Sequence, residues 1–84
     1  MHDMHEADKI LKVILKKAQA NKLNKVAQAN IKLGEITEHG ETIQPDNLAF
    51  NIKMLAKGTL AEGLEVIVER TGGNLWELED IQGE

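Results

Sequence analysis

The chain has 84 residues without cysteine, and its ten basic and fourteen acidic residues give a net charge of −4. This length indicates one small domain, residues 1–84, and the lack of cysteine excludes disulfides and thiolate zinc sites. The negative charge and the scarcity of aromatic residues argue against nucleic acid as a partner. No apolar stretch resembles a membrane span or a signal peptide, so we expect a cytoplasmic protein without a membrane partner.

The first predicted element is a helix from Met4 to about Asn21. Its apolar residues recur at helical spacing and form one broad stripe: Met4, Ala7, Ile10, Leu11, Ile14, Leu15 and Ala18. Asp3 and Glu6 have the spacing of a capping box, which would place His2 just before the helix.

A strand and a second helix follow. Apolar residues alternate with polar ones from Ala27 to Leu33, which predicts a half-buried strand with Ala27, Ala29, Ile31 and Leu33 facing the core. The polar segment 37–44 is predicted as a loop that carries His39. Pro45 suits the first turn of a helix, and Gly58 suits its end.

Two further strands are predicted at 64–70 and 75–81, separated by the turn residues 71–74. The alternation of apolar residues favours a hairpin with a three-residue loop, which would place Val68 opposite Leu78 and Arg70 opposite Trp76.

These elements predict an α+β fold of two layers in the order α-β-α-β-β. We expect a three-stranded mixed sheet with both helices on one face, because alternating strands have one face suited to water. The crossover through the second helix would make the first two strands parallel, with the last strand antiparallel to the second.

Several segments resemble the nickel-binding domain of the HypA/HybF family of hydrogenase maturation factors. They are "MHDM" at the start, "IKLGEI" (31–36), "PDNLAF" (45–50) and "KGTLAEGLEVIVE" (57–69). That family normally inserts a zinc-binding domain with two CxxC-type pairs before its final strand. Here the turn 71–74 stands in its place, so the resemblance implies a nickel-binding domain alone, with no structural zinc.

The resemblance implies that the nickel ligands come from Met1, His2 and Asp3. Independently, an amino-terminal amine, the next peptide nitrogen and a second-position imidazole form fused chelate rings, a near-planar nitrogen set that suits Ni(II) and Cu(II). Asp3 either completes this set or caps the helix, and His2 is otherwise an ordinary terminal residue. His5 is a weaker candidate ligand and more simply a solvated residue of the first turn. His39 is interpreted as an ordinary loop residue.

The resemblance implies a metallochaperone-like accessory protein that binds Ni(II) transiently during maturation of a nickel enzyme, with [NiFe] hydrogenase favoured. Its implied partners are a HypB-type GTPase and a hydrogenase large subunit, and the chain itself would be a monomer or a weak dimer. The alternative is a metal-free adaptor derived from the same domain. An enzyme is disfavoured because the chain has no Cys, Ser or Tyr and no phosphate-binding glycine loop.

Overall fold

The computed structural model describes residues 3–38 and 40–84. It contains two helices, a three-stranded sheet and a separate two-stranded ribbon. In chain order the elements are α1 (Asp3–Ala20), β1 (Val26–Leu33), β2 (Thr37–Glu38), β3 (Glu41–Thr42), α2 (Pro45–Leu55), β4 (Glu65–Arg70) and β5 (Trp76–Gly83).

Strand β1 is the centre of the main sheet, with β4 parallel on one side and β5 antiparallel on the other. The predicted parallel pair is confirmed. The predicted hairpin of the last two strands is wrong, because β1 lies between them. Val68 and Leu78 are both partners of Ile31, on opposite sides of it. The two residues therefore lie at the same level of the sheet without pairing.

Both helices pack against one face of this sheet, so the predicted two-layer α+β architecture is confirmed. Helix α1 contacts α2 and β5, and α2 contacts β4. The core between the layers consists of aliphatic residues: Ala7, Ile10, Leu11, Ile14, Ala18, Val26, Ala29, Ile31, Leu33, Ile43, Leu48, Ile52, Ala56, Ala61 and Leu64. No helix in the described part of the chain is long and apolar enough to cross a membrane.

Helix α2 begins and ends close to its predicted limits. Pro45 occupies the first turn, where its missing N–H costs nothing, and Leu48 and Ile52 face the core. After the helix, Gly58 has a φ of +82°, a left-handed conformation that glycine adopts without strain. Thr59 Oγ1 then donates to the Ala56 carbonyl oxygen at 2.6 Å, and this contact closes the turn.

Two local expectations are corrected. Ala27 is exposed and Val26 is buried instead, because the pairing of β1 with β5 shifts register between Val26 and Gln28. Such an irregularity reverses which side chains face the core. The segment 37–44, predicted as a loop, contains the short ribbon β2–β3, in which Thr37 pairs with Thr42.

The connection between β4 and β5 crosses the end of β1. Three backbone hydrogen bonds fix it there: Thr71 N to Leu33 O at 2.9 Å, Gly34 N to Leu75 O at 2.8 Å, and Glu35 N to Gly73 O at 2.9 Å. Segment 71–75 therefore covers the carboxyl end of the central strand and places Trp76 at the same end of the sheet.

Candidate metal site at the amino terminus

The predicted metal ligands lie at or before the start of α1. Met1 and His2 fall outside the described residues, as does His39. Asp3 is the first residue of α1, and His5 is exposed on its first turn. Among residues 3–38 and 40–84, no group of three or more His, Asp or Glu side chains has an arrangement that could hold a metal ion.

The start of α1 is attached to the sheet by a contact that the sequence did not suggest. Trp76 Nε1 donates a hydrogen bond to Glu6 Oε2 at 3.1 Å, and Lys9 Nζ lies 3.8 Å from Glu6 Oε1. Glu6, which the sequence assigned to a capping box with Asp3, thus binds the indole of β5. The cap itself stays a prediction because the Asp3 side chain lies outside the described part of the structure. Two residues 70 positions apart thus meet at the first turn of α1.

Burial explains why Trp76 reaches this position. It pairs with Leu33 in the sheet, and its half-buried ring packs against the core. The apolar periodicity of β5 indicates that Trp76 faces the helices, because Leu78 and Trp76 share one face. The identity of its hydrogen-bond partner depends on how α1 crosses the sheet, which periodicity does not reveal.

The opposite face of the sheet is solvated and acidic. Glu77, Glu79 and Asp80 are exposed there, as the sequence predicted, and Asp80 accepts a hydrogen bond from Asn30. Lys32 lies among these acids, with its Nζ 3.2 Å from Glu79 Oε2. The hydrogen bond from Lys32 to Glu79 and the negative charge of that residue raise the pKa of Lys32.

The "KGTLAEG" motif (57–63) has a structural role. Glu62 Oε1 accepts a hydrogen bond from Gly58 N at 3.1 Å, and Thr59 Oγ1 accepts one from Ala61 N at 3.1 Å. The Leu60 carbonyl oxygen also accepts a bond from Val26 N at 2.9 Å, which joins this turn to the start of β1. The motif therefore stabilises the passage from α2 to β4.

Comparison with known proteins links residues 1–76 to a family model described as "Hydrogenase/urease nickel incorporation, metallochaperone, hypA". Among curated relatives, the hydrogenase maturation factor HypA of Pyrococcus furiosus is 32% identical over 98% of this chain. That of Archaeoglobus fulgidus is 35% identical over 83% of the chain. In both cases the match spans only 62% of the relative's length.

The solution structure of the Ni metallochaperone HypA from Helicobacter pylori is similar with a TM-score of 0.78, covering 99% of this chain and 97% of that one. Its sequence identity is 9%, so this likeness concerns the fold. The family model, in contrast, matches the sequence itself and begins at residue 1. The chain belongs to the HypA family.

Proposed function

We propose that the protein is a nickel-binding accessory protein that delivers Ni(II) during maturation of a nickel enzyme, with [NiFe] hydrogenase as the favoured recipient. The observation that carries this proposal is the family match over residues 1–76, which includes the proposed ligands Met1, His2 and Asp3. The curated relatives are named as hydrogenase maturation factors, which supports the same process.

The proposed ligands suit this role chemically. The Met1 amine, the His2 peptide nitrogen and the His2 imidazole form fused chelate rings of the near-planar kind that Ni(II) favours. Asp3 contributes a carboxylate as a fourth ligand. A site with few side-chain ligands, at the end of a chain, is accessible to a recipient protein and therefore suits transfer of nickel better than its storage.

The same proposal includes the partners and the domain organisation. A HypB-type GTPase and a hydrogenase large subunit are the proposed partners, and the protein itself performs no catalysis. The turn 71–74 replaces a zinc domain in this chain, and without cysteine the 84 residues provide no thiolate site for structural zinc.

Ni(II) titration calorimetry on protein with a native, untagged Met1 amine tests the proposal. We expect stoichiometric binding that is lost in His2→Ala. His5→Ala is the matched control, because His5 is an exposed histidine three residues further along the chain, and it should retain binding. Unchanged nickel affinity in His2→Ala would contradict the proposed site.

A metal-free adaptor is the second candidate, and the surface of α2 favours it. Phe50 and Met54 lie one helical turn apart and are 61% and 43% exposed, with Lys53 and Lys57 beside them. Exposed apolar residues grouped in this way are typical of protein interaction surfaces. If the protein is such an adaptor, we expect Phe50→Ala to weaken its association with a maturation GTPase or hydrogenase subunit, and His2→Ala to leave this association unchanged. Association that requires both His2 and nickel would exclude it.

A further inference from the structure

The first turn of α1 is attached to the sheet through Glu6. Ala7 and Ile10 are completely buried, whereas His5 is exposed. The hydrogen bond between Glu6 and Trp76 joins this turn to the first residue of β5. It therefore fixes the helix to the sheet within its first turn.

This contact is well placed to resist fraying. The Glu6 side chain is only 16% exposed, so water competes weakly for its carboxylate. A charged acceptor makes the hydrogen bond stronger than one between neutral groups. Trp76 is itself held by the sheet, because it is the first residue of β5 and the partner of Leu33. The sheet can thus hold the first turn of the helix in place through this bond.

Helix ends open readily, and displacement of a metal ligand lowers affinity even when the ligand itself is retained. Resting on the proposed nickel function, we propose that Glu6 and Trp76 are positioning residues for the amino-terminal metal site. Their hydrogen bond holds the first turn of α1, and with it the backbone of Asp3, in a fixed relation to the sheet. Neither residue is a ligand in this proposal.

Hydrogen exchange tests the attachment without nickel. The amides of residues 7–9 bond to carbonyl groups of the first turn, so their protection reports whether that turn is closed. Glu6→Ala and Trp76→Phe each remove the hydrogen bond, and both should increase exchange at these amides. Glu6→Gln keeps a side-chain oxygen acceptor and should retain much of the protection. Unchanged exchange in Glu6→Ala and Trp76→Phe would overturn the proposal.

Nickel affinity tests the positioning role. We expect Glu6→Ala and Trp76→Phe to weaken binding by about tenfold, the size typical for residues that support a metal ligand, with recovery in Glu6→Gln. Asp80→Ala is the matched control, because it removes the side-chain hydrogen bond with Asn30 on the opposite face of the sheet. This control should bind nickel like the unmodified protein.

The outcomes separate this inference from the proposed function. If nickel binding depends on His2 but is unaffected by Glu6→Ala, the positioning role is overturned and the proposed function stands. If Asp80→Ala weakens nickel binding as much as Glu6→Ala does, the effect reflects general stability and the positioning role is again overturned. If the unmodified protein shows no binding that depends on His2, both proposals fail.

Discussion

Gly34 packs directly against the carbonyl oxygen of Leu75. A Cβ atom at Gly34 would lie 2.7 Å from this oxygen and 2.8 Å from the carbonyl oxygen of Gly73. Both contacts are with backbone, which cannot move aside as a flexible side chain can. The end of β1 and the connection between β4 and β5 therefore approach each other as closely as a residue without a side chain permits.

Gly34→Ala should destabilise the fold because the added methyl group would push segment 71–75 away from β1. We expect a loss of about 1–3 kcal/mol in the free energy of unfolding, the usual range for overpacking a tight site. Urea denaturation measures it. Gly72→Ala is the matched control, since a Cβ atom there meets no atom within 4 Å. Equal stability of the two variants would contradict the close packing.

Ile31→Val tests the centre of the core. Ile31 is 1% exposed in the middle of β1, whereas Ile67 in the neighbouring strand is 42% exposed. Loss of one buried methylene group should lower the free energy of unfolding by about 0.5–1.5 kcal/mol, which a shift of the urea midpoint measures. The same change at Ile67 should cost clearly less. An equal loss of unfolding free energy at both positions would contradict the finding that Ile31 is buried and Ile67 is exposed.

Lys32→Gln should lower stability near neutral pH and make less difference in strong alkali. The hydrogen bond and charge of Glu79, with weaker contributions from Glu69 and Glu77, raise the pKa of Lys32 above its ordinary value of 10.5. The folded state therefore favours the charged amine. This contribution to stability is complete below the unfolded-state pKa and is lost as pH rises through the folded-state pKa.

Urea denaturation of Lys32→Gln and the unmodified protein at several pH values measures this effect. The difference in unfolding free energy should shrink above pH 10.5, and added salt should reduce it at neutral pH because the ion pair is partly exposed. Lys16→Gln, at an exposed position of α1, serves as the control. A difference that does not depend on pH would mean that the lysine acts through packing alone.

Thr59→Val should open the turn after α2. The Thr59 hydroxyl donates to the Ala56 carbonyl oxygen and accepts from Ala61 N, and valine has nearly the same shape without these bonds. Each lost hydrogen bond costs about 0.5–1.5 kcal/mol, which thermal unfolding should detect. Thr71 makes only one exposed hydroxyl contact, at 3.3 Å, so Thr71→Val should have a smaller effect. The reverse ranking would contradict the structural role of "KGTLAEG".

The sequence was sufficient to predict the two helices, because regular apolar spacing and residues typical of helix ends are local signals. Five residues of the predicted α1 stripe are buried as expected, namely Ala7, Ile10, Leu11, Ile14 and Ala18. Pro45 and Gly58 mark the predicted start and end of α2. The predicted hairpin between β4 and β5 was wrong. Glycine-rich turn residues indicate that the chain reverses direction, but they do not indicate how far apart the two strands lie in the sheet. A hairpin joins strands about 5 Å apart, whereas this connection spans an intervening strand.

The metal site was predicted from chemistry and resemblance, and it stays a prediction because Met1 and His2 lie outside the described residues. The spacing of Asp3 and Glu6 predicted a local capping interaction, but it gave no sign that the Glu6 carboxylate also binds Trp76, which is distant in sequence. Local spacing identifies neighbours within a helix, while contacts between layers depend on how the helix crosses the sheet.

The central position of β1 also determines when the protein can fold during its synthesis. Residues 26–33 leave the ribosome well before either of their neighbours, β4 and β5. Until those strands emerge, both edges of β1 have unpaired backbone groups that can bind other chains. The sheet is complete only when residues 76–83 pair with β1, so it cannot form until these residues have left the ribosome. A ribosome that stalls before Trp76 would leave an exposed strand for chaperones to protect.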